Sequence, residues 1–331
     1  MAFFKKKDDA KHSRLFFATD LHGSERTFRK FVNCAKFYKV DHIIMGGDIM
    51  GKFLVPIVHE HDSHYRMTLQ GTIESIEGAD ALQAVKERVE TLGFYHITVE
   101  EDELHAMQAD QQQIDATFHR LARERIERWI ALADERLSGT DVKWYVTGGN
   151  DDPPDVLTVF DEMTSEHVVN CEGRVVMVDD LYPMANCGYS NPTPWGTPRE
   201  VEEAVLEEIL EKAVQGVDDY TSAIFNLHVP PYDCTLDDCP KLDWSTDPPS
   251  PIIVGGVAQS APAGSTAVRK IIEKYSPLLA LTGHIHESRG LVNLGRTTVI
   301  NPGSEYGEGI IRGCIITLQP GKLVGYQMTA G

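Results

Sequence analysis

The residues in this chain best suited to chemistry are carboxylates, amides and imidazoles that close short apolar runs. LFFATDLHG carries Asp20 and His22, HIIMGGD ends on Asp48, and KWYVTGGND ends on Asn150 and Asp151. SAIFNLH ends on His228, and PLLALTGHIH carries His284 and His286. Carboxylate and amide oxygens and imidazole nitrogens are ligands suited to Mn, Fe, Zn or Ni. Asp20, His22, Asp48, Asn150, His228, His284 and His286 are too many for one ion, so two divalent ions sharing a carboxylate are the economical arrangement. Paired ions of this kind lie about 3.5–4 Å apart, deliver a hydroxide and neutralise charge on phosphoryl oxygens. In an extended strand, residues two apart point the same way, so D-x-H and H-x-H are each expected to aim both ligands at one place. The glycines before Asp48 and Asn150 permit a tight turn and close approach of a phosphate.

Something must bring these run ends together. The five runs read as buried strands, and amphipathic helices separate several of them: Glu25 to Phe37 with Ser24 as N-cap, Arg199 to Val214 with a Glu-rich wet face, and Ser265 to Tyr275. Alternation of this kind predicts an α/β fold whose ligands gather beyond the carboxyl ends of the strands. The tail (297–304, 312–321 and 322–329) reads as strands joined by tight turns, which predicts hairpins and a mixed or second sheet. Residues 54–78 read as a hairpin, followed by a polar, Gln-rich helical stretch from about Ala79 to Leu137. The expected organisation is a core of 1–51 and 143–331, with 52–142 inserted as a cap or lid.

At 331 residues, with 42% hydrophobic and 24% charged residues, the chain has ordinary globular composition. Its net charge of −19 repels nucleic acid and anionic membranes, so duplex nucleic acid is not an expected partner and an anionic substrate needs a local cation. MAFFKKKDDAKHS has no following apolar run of leader length, and no stretch of about 18 apolar residues occurs, so the expected location is cytoplasmic, without a membrane partner. The six cysteines are scattered and are expected to be reduced, buried thiols.

DLHG, GGDIMGK, GGND, the lone His of NLHVPP, and GHIHES followed by NPGS resemble, in order, the motif series of calcineurin-like metallophosphoesterases. The tracts 188–198 and 264–290 are similar to a subgroup of small archaeal-type members, so the likeness covers about three-quarters of the chain. The resemblance implies a four-layer α/β/β/α sandwich. It also implies one ion held by Asp20, His22, Asp48 and His286 and a second held by Asp48, Asn150, His228 and His284, with Asp48 bridging. Many family members read G-N-H-[DE]; here Asp151 replaces the His that contacts phosphate and helps protonate the leaving group. An ionised carboxylate there repels an anion and cannot donate a proton, which removes a contribution on the order of 10² to 10⁴ in rate. The implied activity is hydrolysis of a phosphorylated small molecule or nucleotide-type substrate, with a diester favoured over a monoester.

The alternative is a metal-binding scaffold of the same fold, weak in catalysis and serving as a protein-interaction module. On either reading a second copy of the chain is a candidate partner, as a homo-oligomer. The His59–His64 cluster (HEHDSH) reads as the solvated face of a hairpin and stays outside the site. Ser288 and Arg289 fit either a substrate contact or a capped strand end.

Overall fold

The computed structural model describes residues 12–331 apart from Trp244, Asp247 and Pro248; residues 1–11 of the stretch read for a leader lie outside the described residues. Two six-stranded sheets carry the molecule. The first runs in the order Lys322–Ala330, Arg312–Gln319, Ser13–Ala18, His42–Met45, Lys143–Val146, Val168–Asn170. Its last four strands are parallel, and the C-terminal hairpin returns antiparallel to the edge of Ser13–Ala18. The second runs Gly290–Leu294, Thr297–Asn301, Leu279–Leu281, Ile224–Leu227, Tyr182–Cys187, Val175–Val178, with a parallel centre and antiparallel edges. The tail thus divides between the sheets.

Alternation along the strands gives each sheet two apolar faces. Leu15, Phe17 and Ile44 of the first sheet share one core with Met184, Ile224, Leu281 and Ile300 of the second. Phe16, Ile43, Met45 and Trp144 point the other way, onto the helix Glu25–Tyr38. Ala185, Phe225 and Ala280 pack against Leu206 and Leu210 of Glu203–Val214 and Ile271 and Ile272 of Thr266–Tyr275. The Ser24 and Ser265 hydroxyls cap their helices by accepting from the backbone N–H three residues on. The Glu203 carboxylate accepts from the backbone N–H of Thr266 and Ala267, both at 2.9 Å, and so joins the two helices of the second sheet.

Residues 52–142 hold two kinds of structure. Strands Thr72–Glu77, His64–Leu69, Leu54–His61 and Tyr95–Glu100 form a four-stranded sheet with a small core of Val55, Ile57, Met67, Leu69, Ile76 and Val89. The strand YHITVE interrupts the stretch expected to be helical throughout; its β-branched residues pair in parallel with Leu54–His61. The helix Gln111–Leu137 behaves differently. Its first turns are exposed, but Ala122, Ile126, Trp129, Ile130, Ala133 and Leu137 lie in the core beneath the first sheet. Trp129 stacks on Phe28 with ring centroids 4.0 Å apart. The Gln-rich helix, expected in a cap, is for half its length a wall of the main core; the three-and-four spacing of those six residues is the signal that its polar composition masked.

His59 sits in the hairpin with its Nδ1 2.8 Å from Glu100, in the inserted sheet rather than among the strand-end residues. All six cysteines are free, and Cys239 alone of them is incompletely buried. No described helix is long and apolar enough to cross a membrane.

Trp129→Ala is expected to lower unfolding free energy by about 3–5 kcal/mol, as for a large aromatic removed from a core. Gln112→Ala on the exposed end should stay within about 0.5 kcal/mol. Urea titration checks both; a Trp129→Ala protein as stable as wild type would remove this helix from the core.

Candidate metal centre

Each of the central parallel strands stops just short of a polar residue, and the chain then turns sharply. Asp20, His22, Asp48 and His284 all have positive φ, between 41° and 65°, a region that non-glycine residues seldom occupy. Asp20 and His22 lie beyond the end of Ser13–Ala18, and His284 and His286 lie beyond Leu279–Leu281. The ligands therefore sit on turns beyond the sheet rather than in strand alternation; Asp20 and His22 still meet in one group as expected, whereas His284 and His286 do not. Backbone bonds between neighbouring loops hold these turns: the N–H of Asp20 donates to Gly47 O, that of His22 to Asp48 O, and that of Gly283 to His228 O.

Three groups of side chains converge: Asp20 with His22 and His286; Asp48 with His228 and His284; and His22 with Asp48 and Asp151. In each, the ligand atoms lie within 4.8 Å of one another. His284 and His286, two residues apart, thus face different groups. His286 Nε2 is 3.5 Å from Asp20 and 3.1 Å from His22 Nε2. His228 Nε2 is 3.4 Å from Asp48 Oδ1, while His22 Nε2 is 3.5 Å from Asp48 Oδ2, so the two Asp48 oxygens face opposite sides. Asn150 Oδ1 is 2.9 Å from His228 Nε2 and 2.7 Å from His284 Nδ1.

These separations fit cations. Ligands about 2.1 Å from one ion stand roughly 3–3.5 Å from each other, and two imidazole nitrogens facing at such a distance have a natural common partner in an ion between them. Asp20, His22, Asp48 and His228 are each at most 3% exposed, and His22 Nδ1 is buried without a hydrogen-bond partner. The backbone makes room as well: a Cβ on Gly149 would stand 2.1 Å from Asp48 Oδ1.

Residues behind the ligands fix their direction. His228 Nδ1 donates to Gly46 O at 3.0 Å, which turns Nε2 into the site. Asn150 Nδ2 donates to Thr197 Oγ1 at 2.8 Å, which turns Oδ1 inward, and Thr197 in turn donates to Glu200. Arg199, 2% exposed, donates from its backbone to Asn150 O and from its guanidinium to Gly149 O, and pairs with Glu172. Asp152, fully buried, accepts from the backbone N–H of Ile49, Met50 and Gly149 and so staples the Asp48 loop to the Asn150 loop. The sequence reading missed the roles of Thr197, Arg199 and Asp152, although Thr197 lies within the 188–198 tract and Asp152 is the second Asp of GGNDD. Ser288 and Arg289 are engaged elsewhere, donating to the carbonyls of Asp238 and Thr329.

Asp151 has a partner that the sequence reading also passed over. Lys52 Nζ is 3.1 Å from Asp151 Oδ2, and the Asp151 N–H donates to Asp48 Oδ1 at 3.0 Å. GGDIMGK contains that lysine four residues after Asp48, the one signal available.

The burial of these charges sets their acidity. Burial raises Asp20, but the hydrogen bond and charge of His286 outweigh it and hold the carboxyl at about 2. Burial lowers His228, yet Asp48 raises it to about 10. Burial, then the charge of His228, presses His284 down to about 4. Burial, reinforced by Asp48, lifts Asp151 to about 6 against the opposing pull of Lys52. Burial works against the Lys52 ammonium, but the Asp151 and Asp48 carboxylates raise it above an ordinary lysine.

The order of these motifs along the chain is the one that resembles the calcineurin-like metallophosphoesterases. No family model matches the chain. An uncharacterized protein of Methanocaldococcus jannaschii is 32% identical over 150 residues, 45% of this chain. The chain spans 59% of that relative's length. One crystal structure superposes with a TM-score of 0.55 at 15% identity, covering 97% of this chain and 99% of its own, and shows a shared fold. A novel archaeal phosphodiesterase superposes at 0.31 and 11% identity, with 96% and 99% coverage, too remote in shape to add to that.

Two outcomes follow. Thr197→Val removes one of the two acceptors of the Asn150 amide, the other being Asp151 Oδ1 at 3.1 Å, and is expected to weaken a divalent ion at the Asp48, His228 and His284 group by roughly 10-fold; metal titration showing unchanged binding would remove Thr197 from this role. Because the metal-free site holds a proton on His228 up to about pH 10, and only neutral imidazole binds metal, the same ion should bind about tenfold tighter per pH unit on going from 7 to 9. Calorimetry in buffers of different ionisation enthalpy should register the released proton.

Proposed function

We propose that the chain is a metal-dependent phosphoesterase built as a four-layer α/β/β/α sandwich, with Asp20, His22, Asp48 and His286 holding one divalent ion and Asp48, Asn150, His228 and His284 the other. The observation that carries this reading is the Asp48 carboxylate, whose two oxygens face two separate His-containing groups. When bound, two such ions polarise the ester and supply a water of lowered pKa as nucleophile. The protein's own part is to hold the ligands in place. Asp20 and Asp48 remain ionised under burial, Gly46 O and Thr197 orient His228 and Asn150, and the Asp152 staple keeps the two ligand loops in register. Asp151 and Lys52 stand beside the ligands, and Lys52 keeps a third of its side-chain surface open to solvent.

A phosphodiester with a good leaving group is the favoured substrate class. Asp151 occupies the place where an imidazole would protonate the departing oxygen, and a weakly basic leaving group needs no such proton. A nucleotide-type or other phosphorylated small molecule fits, while the charge of −19 argues against a polyanionic duplex. The sheet within 52–142 leaves the core after Asp48 and is proposed to flank the mouth of the site and act on substrate choice.

Purified protein is expected to bind about two Mn²⁺ per chain and to hydrolyse an aryl phosphodiester. Asp48→Ala should lose both ions and at least about 10³ in kcat, since both groups depend on that one carboxylate. Full metal content in Asp48→Ala would sink the bridging assignment, and a two-ion protein without turnover of aryl mono- or diesters would favour a binding scaffold.

A further inference from the structure

We propose that Lys52 is the cation that receives the substrate's phosphate oxygens, kept in place by Asp151, and that this pair sets the selection between doubly and singly charged phosphate esters. The inference rests on the phosphoesterase reading above and assigns it a substrate-contacting residue. Lys52 Nζ lies 3.1 Å from Asp151 Oδ2, and the same oxygen is 3.6 Å from His22 Nδ1, the buried ring nitrogen without a hydrogen-bond partner. Asp151 is tied on its other side to Asp48 through its backbone N–H. Asp151 thus links the ammonium to His22 through its carboxylate and to Asp48 through its backbone N–H. Among the described residues, no other lysine or arginine is ion-paired with a carboxylate of the site.

Lys52 also keeps a way out. Its side chain is 37% exposed, against 16% for Asp151 and 4% or less for Asp20 and Asp48. A charge that was only part of the buried scaffold would gain nothing from this opening, whereas a flexible ammonium at the rim can turn to an arriving anion while keeping its carboxylate partner. Asp151 alone would repel that anion; Lys52 cancels the repulsion. The consequence scales with substrate charge. Near pH 7.5 a phosphate monoester carries close to two negative charges, its second pKa being about 6, while a diester carries one. Removing the ammonium exposes the incoming phosphate to an uncompensated Asp151, and the dianion feels this about twice as strongly.

Lys52→Met, Lys52→Arg and Lys52→Met/Asp151→Asn are compared with wild type as Mn²⁺-loaded proteins, each first checked for metal content. The readouts are kcat/KM for an aryl phosphate monoester and the matching diester, together with the affinity for inorganic phosphate by calorimetry. Lys52→Met is expected to keep its metal, to lose on the order of 10²-fold on the monoester and tenfold on the diester, and to bind phosphate at least tenfold more weakly. Lys52→Arg should restore most of the phosphate affinity, and the double variant, which removes the opposing carboxylate as well, should recover the monoester by a larger factor than the diester. Equal losses on both esters with unchanged phosphate affinity would overturn the proposal, as would loss of metal in Lys52→Met, which would make the lysine a structural part of the centre. If wild type turns over neither ester, the phosphoesterase reading fails by itself, and the phosphate titration still decides whether Lys52 receives the anion.

Discussion

The burial of Asp20 and Asp48 between two apolar sheets is the constraint on which the rest of this molecule turns. An ionised carboxylate out of water is tolerated only with partners, and here the partners are imidazoles, backbone N–H groups and, when bound, cations. His286 and the His284 N–H serve Asp20; His22, His228 and the Asp151 N–H serve Asp48. The partners come from four separate loops, those of His22, Asp151, His228 and the 284–286 turn, so the two acids cannot be satisfied until both sheets are formed and facing. The metal centre is in this sense a test of the fold, because its charges are compensated in no partly assembled state.

The inserted residues take part in that assembly. The backbone of Gly93, ahead of the strand Tyr95–Glu100, presses so closely on Gly51 and His22 that a Cβ on Gly51 would stand 1.9 Å from Gly93 O and one on Gly93 2.0 Å from His22 O. Tyr95 Oη accepts from Gly51 N–H, and the buried Arg125 guanidinium donates to Gly23 O and Phe94 O while lying over the Tyr95 ring. The loops carrying His22 and Asp48 are thus braced from outside the two main sheets. A segment that composition suggests is a loose attachment is joined to the site by backbone contacts, which transmit displacement more directly than flexible side chains do.

Secondary structure near the site was well marked in the chain: apolar runs ending in Asp, Asn or His became the central parallel strands, and Ser24 and Ser265 cap the helices they precede. Legibility was poorest where two signals competed. The polar surface of Gln111–Leu137 concealed the six residues that enter the core, and the short alternation of YHITVE was lost between two helices. Lys52, Thr197, Arg199 and Asp152 were hidden for another reason: each acts through a partner far along the chain, such as Thr197 on Asn150, and no local pattern records that pairing.

The sequence by itself determined the inventory of the centre, since residue types at strand ends and the order of DLHG, GGD, GGND, NLH and GHIH name every ligand candidate without reference to space. It also determined the α/β character, because strand and helix periods are local properties of the chain. Residue spacing alone did not say which candidates share a group; the division that the resemblance implied is decided physically only by the tertiary structure. His284 and His286 stand two residues apart yet face different carboxylates, because His284 takes a left-handed backbone beyond its strand and breaks the alternation that adjacency implies. That turn is held by the Gly283 N–H on His228 O and the His284 N–H on Asp20, contacts spanning 55 and 264 residues of chain, and such distances are settled by the packing of two sheets rather than by any neighbour in sequence.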